Sequence, residues 1–381
     1  MNGKRVVPAL AAGLSIVLLA ACSVDGTPTR GPLDLDTGKY QTSLAQPAGT
    51  ATTDAELDKL RAVRLGESLV YHDDVDPQLN RTSMPTYPVT PASGLSGIIS
   101  DVNDEPFMKA LRYGFSVAAG SKDDDNDKGY NHAVFVFTDA AAANTAADAL
   151  ADALLKSRGS GERTRTRVPG APTQMRAVNG KTSKGFVTAA LTPVGDKVVY
   201  TWADSSDAAW TATTVRVSYE KQKALLDGMK PISDDPRIDP DGMLRGVLPV
   251  ESGSRLSNMV LGPRTVALLA NKPTEMYDAG KKAGITAAVV GDALVLKAGS
   301  DQQATEYLKT LSDQSGDPTA RKAASPQDLA SATCYTSKSS YGSDSADCYL
   351  AVGKYVVQAS DSELLAAQQM ASAEYLLLSQ L

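Results

Sequence analysis

The stretch Pro231-Ile-Ser-Asp-Asp-Pro236-Arg-Ile-Asp-Pro240-Asp-Gly242 constrains this chain more than any other segment. Its closely spaced prolines remove backbone donors and fix φ, so neither a helix nor a central strand can run through it. It predicts a junction, and the residues on either side look alike. Before it, Ala133-Val-Phe-Val-Phe137 reads as a strand, Asp139 as an N-cap, and Ala143, Ala147, Leu150 and Leu154 as the face of a helix closed by Gly159. A noisier unit follows, Lys197-Val-Val-Tyr200 and then Val215, Tyr219, Gln222 and Leu226. After the junction, Ala293-Leu-Val-Leu296 leads to an N-cap at Ser300, a face of Ala304, Leu308 and Leu311, and Gly316. Last, Tyr355-Val-Val357 leads to a capping box of Ser360 and Glu363 and a face of Ala366, Met370, Ala373 and Leu377.

A chain of 381 residues exceeds what one core usually serves. The four strand-helix units therefore predict an α+β protein of two similar modules, each a mainly antiparallel sheet with helices on one face. One continuous domain with a coincidental repeat is the alternative, because this apolar spacing is common to any amphipathic helix.

The amino terminus reads as an address. Lys4 and Arg5 precede an uncharged apolar run, Val6 to Ala21, with the layout of a secretory signal, too short to span a bilayer comfortably. Leu19-Ala20-Ala21-Cys22 resembles the lipobox of bacterial lipoproteins, which implies cleavage before Cys22 and acylation of its sulfur and amine. Cleavage would delete two bases and no acid, taking the net charge from −6 to −8. With two or more acyl chains as anchor, the protein part needs no lipid affinity of its own. Gly, Pro, Thr and Ser then persist to about Thr53 without an apolar period, as in a flexible tether. Asp54 reads as the N-cap of a helix bearing Leu57, Leu60, Val63 and Arg64, weakened at its end by Gly66. The expected organisation is a signal peptide over 1–21, a tether over 22–53, an N-terminal domain over 54–235 and a C-terminal domain over 236–381.

The whole resembles a family of actinobacterial lipoproteins of unknown function found in mycobacteria, nocardiae and their relatives. The resemblance rests on the lipobox, Leu35-Asp-Thr-Gly38, Arg64-Leu65 leading to Asp74-Val-Asp-Pro77, Val168-Pro-Gly170, and Asp239-Pro-Asp-Gly242 with Leu248-Pro249. It implies a surface-anchored two-part protein and brings no catalytic residues with it.

Chemistry is sparse. Two His, 3 Cys and 2 Trp leave little for zinc sites, clusters or imidazole catalysis, and an acidic balance argues against nucleic acid. Asp123-Asp-Asp-Asn-Asp127-Lys128-Gly129 has acids at alternate positions like a calcium loop, but Lys128 and Val134 stand where that loop needs Gly and Glu. His72 lies beside Asp73, Asp74 and Asp76, yet only His132 could join it, so a structural surface histidine is expected rather than a metal ligand. Trp202 and Trp210 flank Asp204 and Asp207 in what reads as a loop, where they form a rim of core aromatics or stack a sugar or partner group. The chain has no nucleophile elbow, zinc-protease motif or phosphate loop. Neither a catalytic residue nor a cofactor or metal is expected.

With Cys22 taken by lipid, Cys334 and Cys348 are the remaining thiols, and export would oxidise them to a disulfide across a Ser/Gly/Tyr/Asp-rich hairpin with Gly342 in its turn. These features favour a non-enzymatic binding or interaction module on the outer face of the cell membrane. It would touch the membrane through its anchor alone and meet an unknown envelope protein or small ligand. A carrier of a small apolar solute or lipid is the alternative, requiring an apolar cavity of a few hundred Å³, and a divergent hydrolase ranks behind it.

Overall fold

A computed structural model of the chain describes residues 33–121, 127–156, 161–183, 185–250, 255–313, 317–338 and 342–381. Cys22 and the signal segment lie outside the described residues, as does most of the Asp123–Asp127 run.

In the first half, α1 (Asp54–Leu65) and a single turn α2 (His72–Val75) precede a meander of β1 (Arg81–Val89), β2 (Leu111–Gly120) and β3 (Gly129–Phe137). Helix α3 (Ala140–Lys156) crosses over to a second meander of β4 (Thr164–Thr166), β5 (Arg176–Thr182), β6 (Gly185–Val194) and β7 (Lys197–Ser205), and α4 (Ala208–Asp227) follows. Strand β7 returns to pair with β3, giving the antiparallel order β1-β2-β3-β7-β6-β5-β4.

The second half repeats this path. β8 (Val260–Leu261), α5 (Pro263–Ala267), α6 (Pro273–Lys282), β9 (Ala287–Val290) and β10 (Ala293–Lys297) come first. Then α7 (Asp301–Leu311) leads to β11 (Arg321–Ala323), β12 (Thr333–Lys338), β13 (Asp344–Val352) and β14 (Tyr355–Asp361), and α8 (Leu364–Leu378) closes the chain. Strand β14 pairs antiparallel with β10, as β7 does with β3, in the order β8-β9-β10-β14-β13-β12-β11. Three strands, a helix, four strands with the last beside the third, and a helix: both halves trace the same route, as two similar α+β modules should. The main departure is the insertion of α5 and α6 between the first and second strands of the second half.

Side chains alternate across a strand, and each sheet carries helices on both of its faces rather than on the one expected, because both rows of its side chains are apolar. Ala133, Phe135 and Phe137 of β3 meet Ala143, Ala147, Leu150 and Leu154 of α3, while Val134 and Val136 share the opposite core with Tyr219 of α4 and with α1. In the second sheet, Leu296 and Val356 pack with Ala304 and Tyr307 of α7, and Val295, Val357 and Ala359 with Met370, Ala373 and Leu377 of α8. Burial on both faces explains why the central strands read as unbroken apolar runs.

Residues Leu35–Leu381 form one unit, and a single apolar core runs between its halves, from Leu60, Val63, Val134 and Val199 to Ala288, Leu296 and Tyr307. The Pro/Asp-rich junction is clasped by α1. Arg61 pairs with Asp234 at 2.7 Å, and Arg64 donates 2.7 Å bonds to the carbonyls of Ser233 and Asp235. Asp239 then accepts from the amides of Met243 and Leu244, seating the turn at positive-φ Gly242.

Three local expectations are corrected. The N-cap of α1 is Thr53, one residue before Asp54, because Thr53 and Glu56 form a reciprocal capping box. Ser360 and Glu363 form no such box: Ser360 belongs to β14 and its hydroxyl donates to Asp347, so α8 begins only at Leu364. The segment from Leu35 is not a free tether. Leu35, Tyr40 and Leu44 pack on the core of the second half, Asp36 accepts from Gln369 of α8 at 2.9 Å, and Ala45 and Ala51 bond the backbone at Arg245 and Pro236.

Cys334 and Cys348 are directly opposed on β12 and β13, with Cα atoms 4.1 Å apart, and form a disulfide of 2.00 Å. Both are fully buried. No helix among the described residues is long and apolar enough to cross a membrane.

Candidate functional site: the groove between the halves

Helices α5 and α6 begin with Pro at their first position, after Gly262 and Lys272, and neither has a side-chain cap of its own. The caps come from the other half. Glu67 accepts from the amides of Arg264, at 3.2 Å, and Thr265, at 2.6 Å. Asp73, the second residue of α2, accepts from the Thr274 amide at 3.1 Å and its hydroxyl at 2.8 Å. Carboxylates at helix N-termini satisfy orphan amides and complement the helix dipole. Arg264 completes the clamp: it donates to the carbonyls of Glu67 and Leu69, and its guanidinium lies 4.4 Å from the Tyr71 ring centre and 5.2 Å from that of Tyr277. The approach is close enough that a Cβ on Gly66 would stand 2.7 Å from Thr265.

Beside this clamp, α2 on one wall and α6 with α7 on the other enclose an open groove of about 1000 Å³. Its floor is Ala279, Ala283 and the ring of Tyr307, whose hydroxyl is turned to the Met276 sulfur, and exposed Pro77 lies at its edge. Carboxylates dominate its rim: Asp73, Asp74, Glu275, Asp278 and Glu306 against Lys272 and Lys282. Asp74 pairs with Lys221 at 2.9 Å, and Glu275 with Lys272 at 3.2 Å. A second, smaller pocket of about 210 Å³ lies at the start of α4, beside Phe186, Thr188 and Thr211.

The histidines are in the interior, which corrects the expectation of a surface His72. Both are fully buried. His132 on β3 opposes Thr201 on β7 in register, and its Nδ1 lies 2.9 Å from the threonine hydroxyl. Its Nε2 lies 3.0 Å from Gln222 Oε1, and that amide's nitrogen donates to Ser68 O, so Nε2 carries the proton and Nδ1 accepts. Burial pushes the His132 pKa down to about 4 and lowers that of His72. His72 Nδ1 sits 2.5 Å from Leu79 O and holds the turn that carries Asp73 and Asp74 into the groove. These imidazoles are neutral structural donors, removed from solvent.

The tryptophans are not loop residues. Trp202 is on β7 and Trp210 in the first turn of α4. Their indoles donate to Asp204 and Asp76, and Arg163 and Lys128 lie over their rings at 4.9 and 4.8 Å. Asp127 accepts from Ser205 and Ser206. Among the described residues there is no group of three or more His, Cys, Asp or Glu able to hold a metal.

The groove and its clamp escaped the reading of the sequence. The available signal was Gly262-Pro263 and Lys272-Pro273, two helix starts with proline but without Ser, Thr, Asp or Asn before it. Such a helix needs a cap from elsewhere, though nothing local says from where.

None of the curated proteins matches the chain. Among solved structures, the extracellular domain of PknH from Mycobacterium tuberculosis is similar at 17% identity over 48% of this chain and 98% of that one, with a TM-score of 0.31. One family model, described as the N-terminal part of a domain of unknown function, DUF7373, matches residues 48–240, and its C-terminal counterpart matches residues 243–381. The two matches part inside the Pro/Asp-rich junction, and on their extent the chain belongs to the DUF7373 family.

Proposed function

We propose that this protein is a lipid-anchored envelope protein that acts, without catalysis of its own, as a docking module on the outer face of the cell membrane, and that a partner docks in the groove between its halves. The observation that carries the reading is the groove's construction. Its walls belong to different halves and are fixed against each other by carboxylate caps and a shared core. A preformed cleft of this kind binds without the cost of ordering its own walls. The enclosed imidazoles favour binding over acid–base work. The disulfide suits an exported chain, and the charged-apolar sequence before Cys22 supports lipidation there. An apolar-solute carrier finds less support, because the large groove is open and rimmed with charge.

The test combines two measurements. Mass spectrometry of protein from the native envelope is expected to find the mature chain starting at a lipidated Cys22; an unmodified Cys22 or a retained Met1 would overturn the anchor. A photo-crosslinking residue in place of Thr310, on the groove lip, is expected to capture a partner on intact cells. The same probe at Asp104, in the 90–110 loop, is expected to capture none, and equal capture at both sites would remove the groove from the reading.

A further inference from the structure

We infer that the groove's occupant is a basic polypeptide segment, bearing lysine or arginine; this rests on the groove being the docking site. Two independent features of the cleft select that chemistry. Its floor is small and apolar, formed by Ala279, Ala283 and Tyr307, and its rim is acidic. Lysine and arginine combine an aliphatic stem, which gains from lying on an apolar floor, with a cationic head that stays at a polar rim. An apolar solute would offer nothing to the rim carboxylates Asp278 and Glu306, and an acidic one would meet like charge.

The rim also has capacity to spare. Asp73 is committed to capping α6, Asp74 to Lys221, and Glu275 to Lys272. Asp278 on α6 and Glu306 on α7 are exposed on the same wall, and among the described residues Glu306 meets only the amide of Gln302, one turn earlier in its own helix. These two carboxylates are the ones free to receive incoming cations. Lys282, on the rim one turn beyond Asp278, sets a limit on how basic the ligand can be and gives the test a handle in the opposite direction.

Fluorescence anisotropy of dye-labelled pentalysine on the full mature chain reads the class of ligand. Binding is expected to weaken about tenfold in Asp278→Asn/Glu306→Gln and to tighten a few-fold in Lys282→Glu, with both effects shrinking as salt is raised. Asp104→Asn/Glu105→Gln removes the same charge from an exposed loop of the first half, and is expected to leave affinity unchanged. Equal weakening by the two double variants would mean a general attraction of polycations to an acidic protein and would overturn the inference, as would comparable binding of pentaglutamate. Unaltered circular dichroism shows that each variant is folded. The crosslinking probe at Thr310 separates this inference from the reading beneath it. A captured partner that pentalysine fails to displace leaves the docking site standing and removes the basic ligand. Pentalysine binding through Asp278 and Glu306, with no partner captured at Thr310, keeps the cation site and removes the docking reading.

Discussion

Glu67 Oε1 stands 2.6 Å from the Thr265 amide and 2.7 Å from the Thr265 hydroxyl, so a carboxylate of the first half terminates a helix of the second. Removing an N-cap typically costs about 1 kcal/mol, and up to about 2 kcal/mol where the site is partly buried. Glu67→Ala is therefore expected to lower the unfolding free energy by that amount, moving the urea midpoint down without changing the slope. A double-mutant cycle with Thr265→Val should return a coupling of at least about 0.5 kcal/mol. Strict additivity of the two substitutions would show that the Thr265 hydroxyl takes no part in holding the halves together.

His132 sets an acid limit. Its imidazole is neutral in the fold, with a pKa pushed down to about 4 by burial, and titrates near its ordinary value of about 6.5 when unfolded. The unfolded chain therefore takes up this proton first as pH falls. The contribution of His132 is full above about pH 6.5 and drains away towards pH 4, by on the order of 3 kcal/mol. His72, lowered in the same direction, adds to the slope. Between pH 6.5 and 5, where Glu374 contributes a slope of the opposite sign, His132→Asn should make the slope of unfolding free energy against pH more negative by about 1 kcal/mol per pH unit. An unchanged slope would mean that His132 takes up its proton in the fold.

Glu374 acts at the other end of the scale. It is fully buried on α8, its Oε1 accepts from the Leu248 amide at 2.8 Å, and its Oε2 has no hydrogen-bond partner among the described residues. Burial raises its pKa to about 8. The folded chain holds this proton after the unfolded chain has lost it, so the contribution is whole below about pH 4.5 and is lost as pH rises through 8. The loss is on the order of 5 kcal/mol. Glu374→Gln keeps the acceptor for Leu248 and removes the charge, and is expected to raise stability at pH 9 while changing it little at pH 5. Equal effects at the two pH values would show that Glu374 is ionised throughout.

The disulfide spans fourteen positions, a loop that contributes about 3 kcal/mol in the chain-entropy account. Cys334→Ala/Cys348→Ala is expected to lose roughly that much. Both sulfurs are shielded by the fold, so reductant should leave the native protein oxidised and act only once denaturant opens the β12–β13 hairpin. Rapid thiol release under native conditions would contradict the burial.

Legibility followed the range of each interaction. Strands such as Ala133–Phe137 and helix faces such as Ala143 to Leu154 are written in neighbouring residues, so they can be read directly. The duplication was legible for the same reason, from strand-helix units on both sides of a proline-rich break. Cys334 and Cys348 could be paired because few thiols compete. The groove depends on Glu67 meeting Thr265 and Asp73 meeting Thr274, each about 200 positions apart, and no local pattern encodes such a meeting. His72 misled through its acidic neighbours, since Asp73 and Asp74 face the groove while the imidazole turns inward to Leu79.

The segment before α1 offers the last test, because low apolar content made it read as a tether. Sparse anchors suffice where a surface is ready to receive them: Leu35, Tyr40 and Leu44 meet the α8 core, and Gly38, at φ +51°, allows the turn that brings Asp36 to Gln369. The positive φ favours glycine, and a Cβ there would stand 2.3 Å from the Gln369 amide and displace it from Asp36. Partial burial of three such side chains contributes a few kcal/mol before the cost of ordering the backbone, leaving about 2 kcal/mol net. A chain starting at Asp34 is expected to keep the stability of the longer one. A chain starting at Thr52 should lose about 2 kcal/mol and show faster amide exchange along α8. Gly38→Val should reproduce most of that loss in the full chain. If the chain starting at Thr52 is as stable as the one starting at Asp34, the strap rests on the second half without holding it.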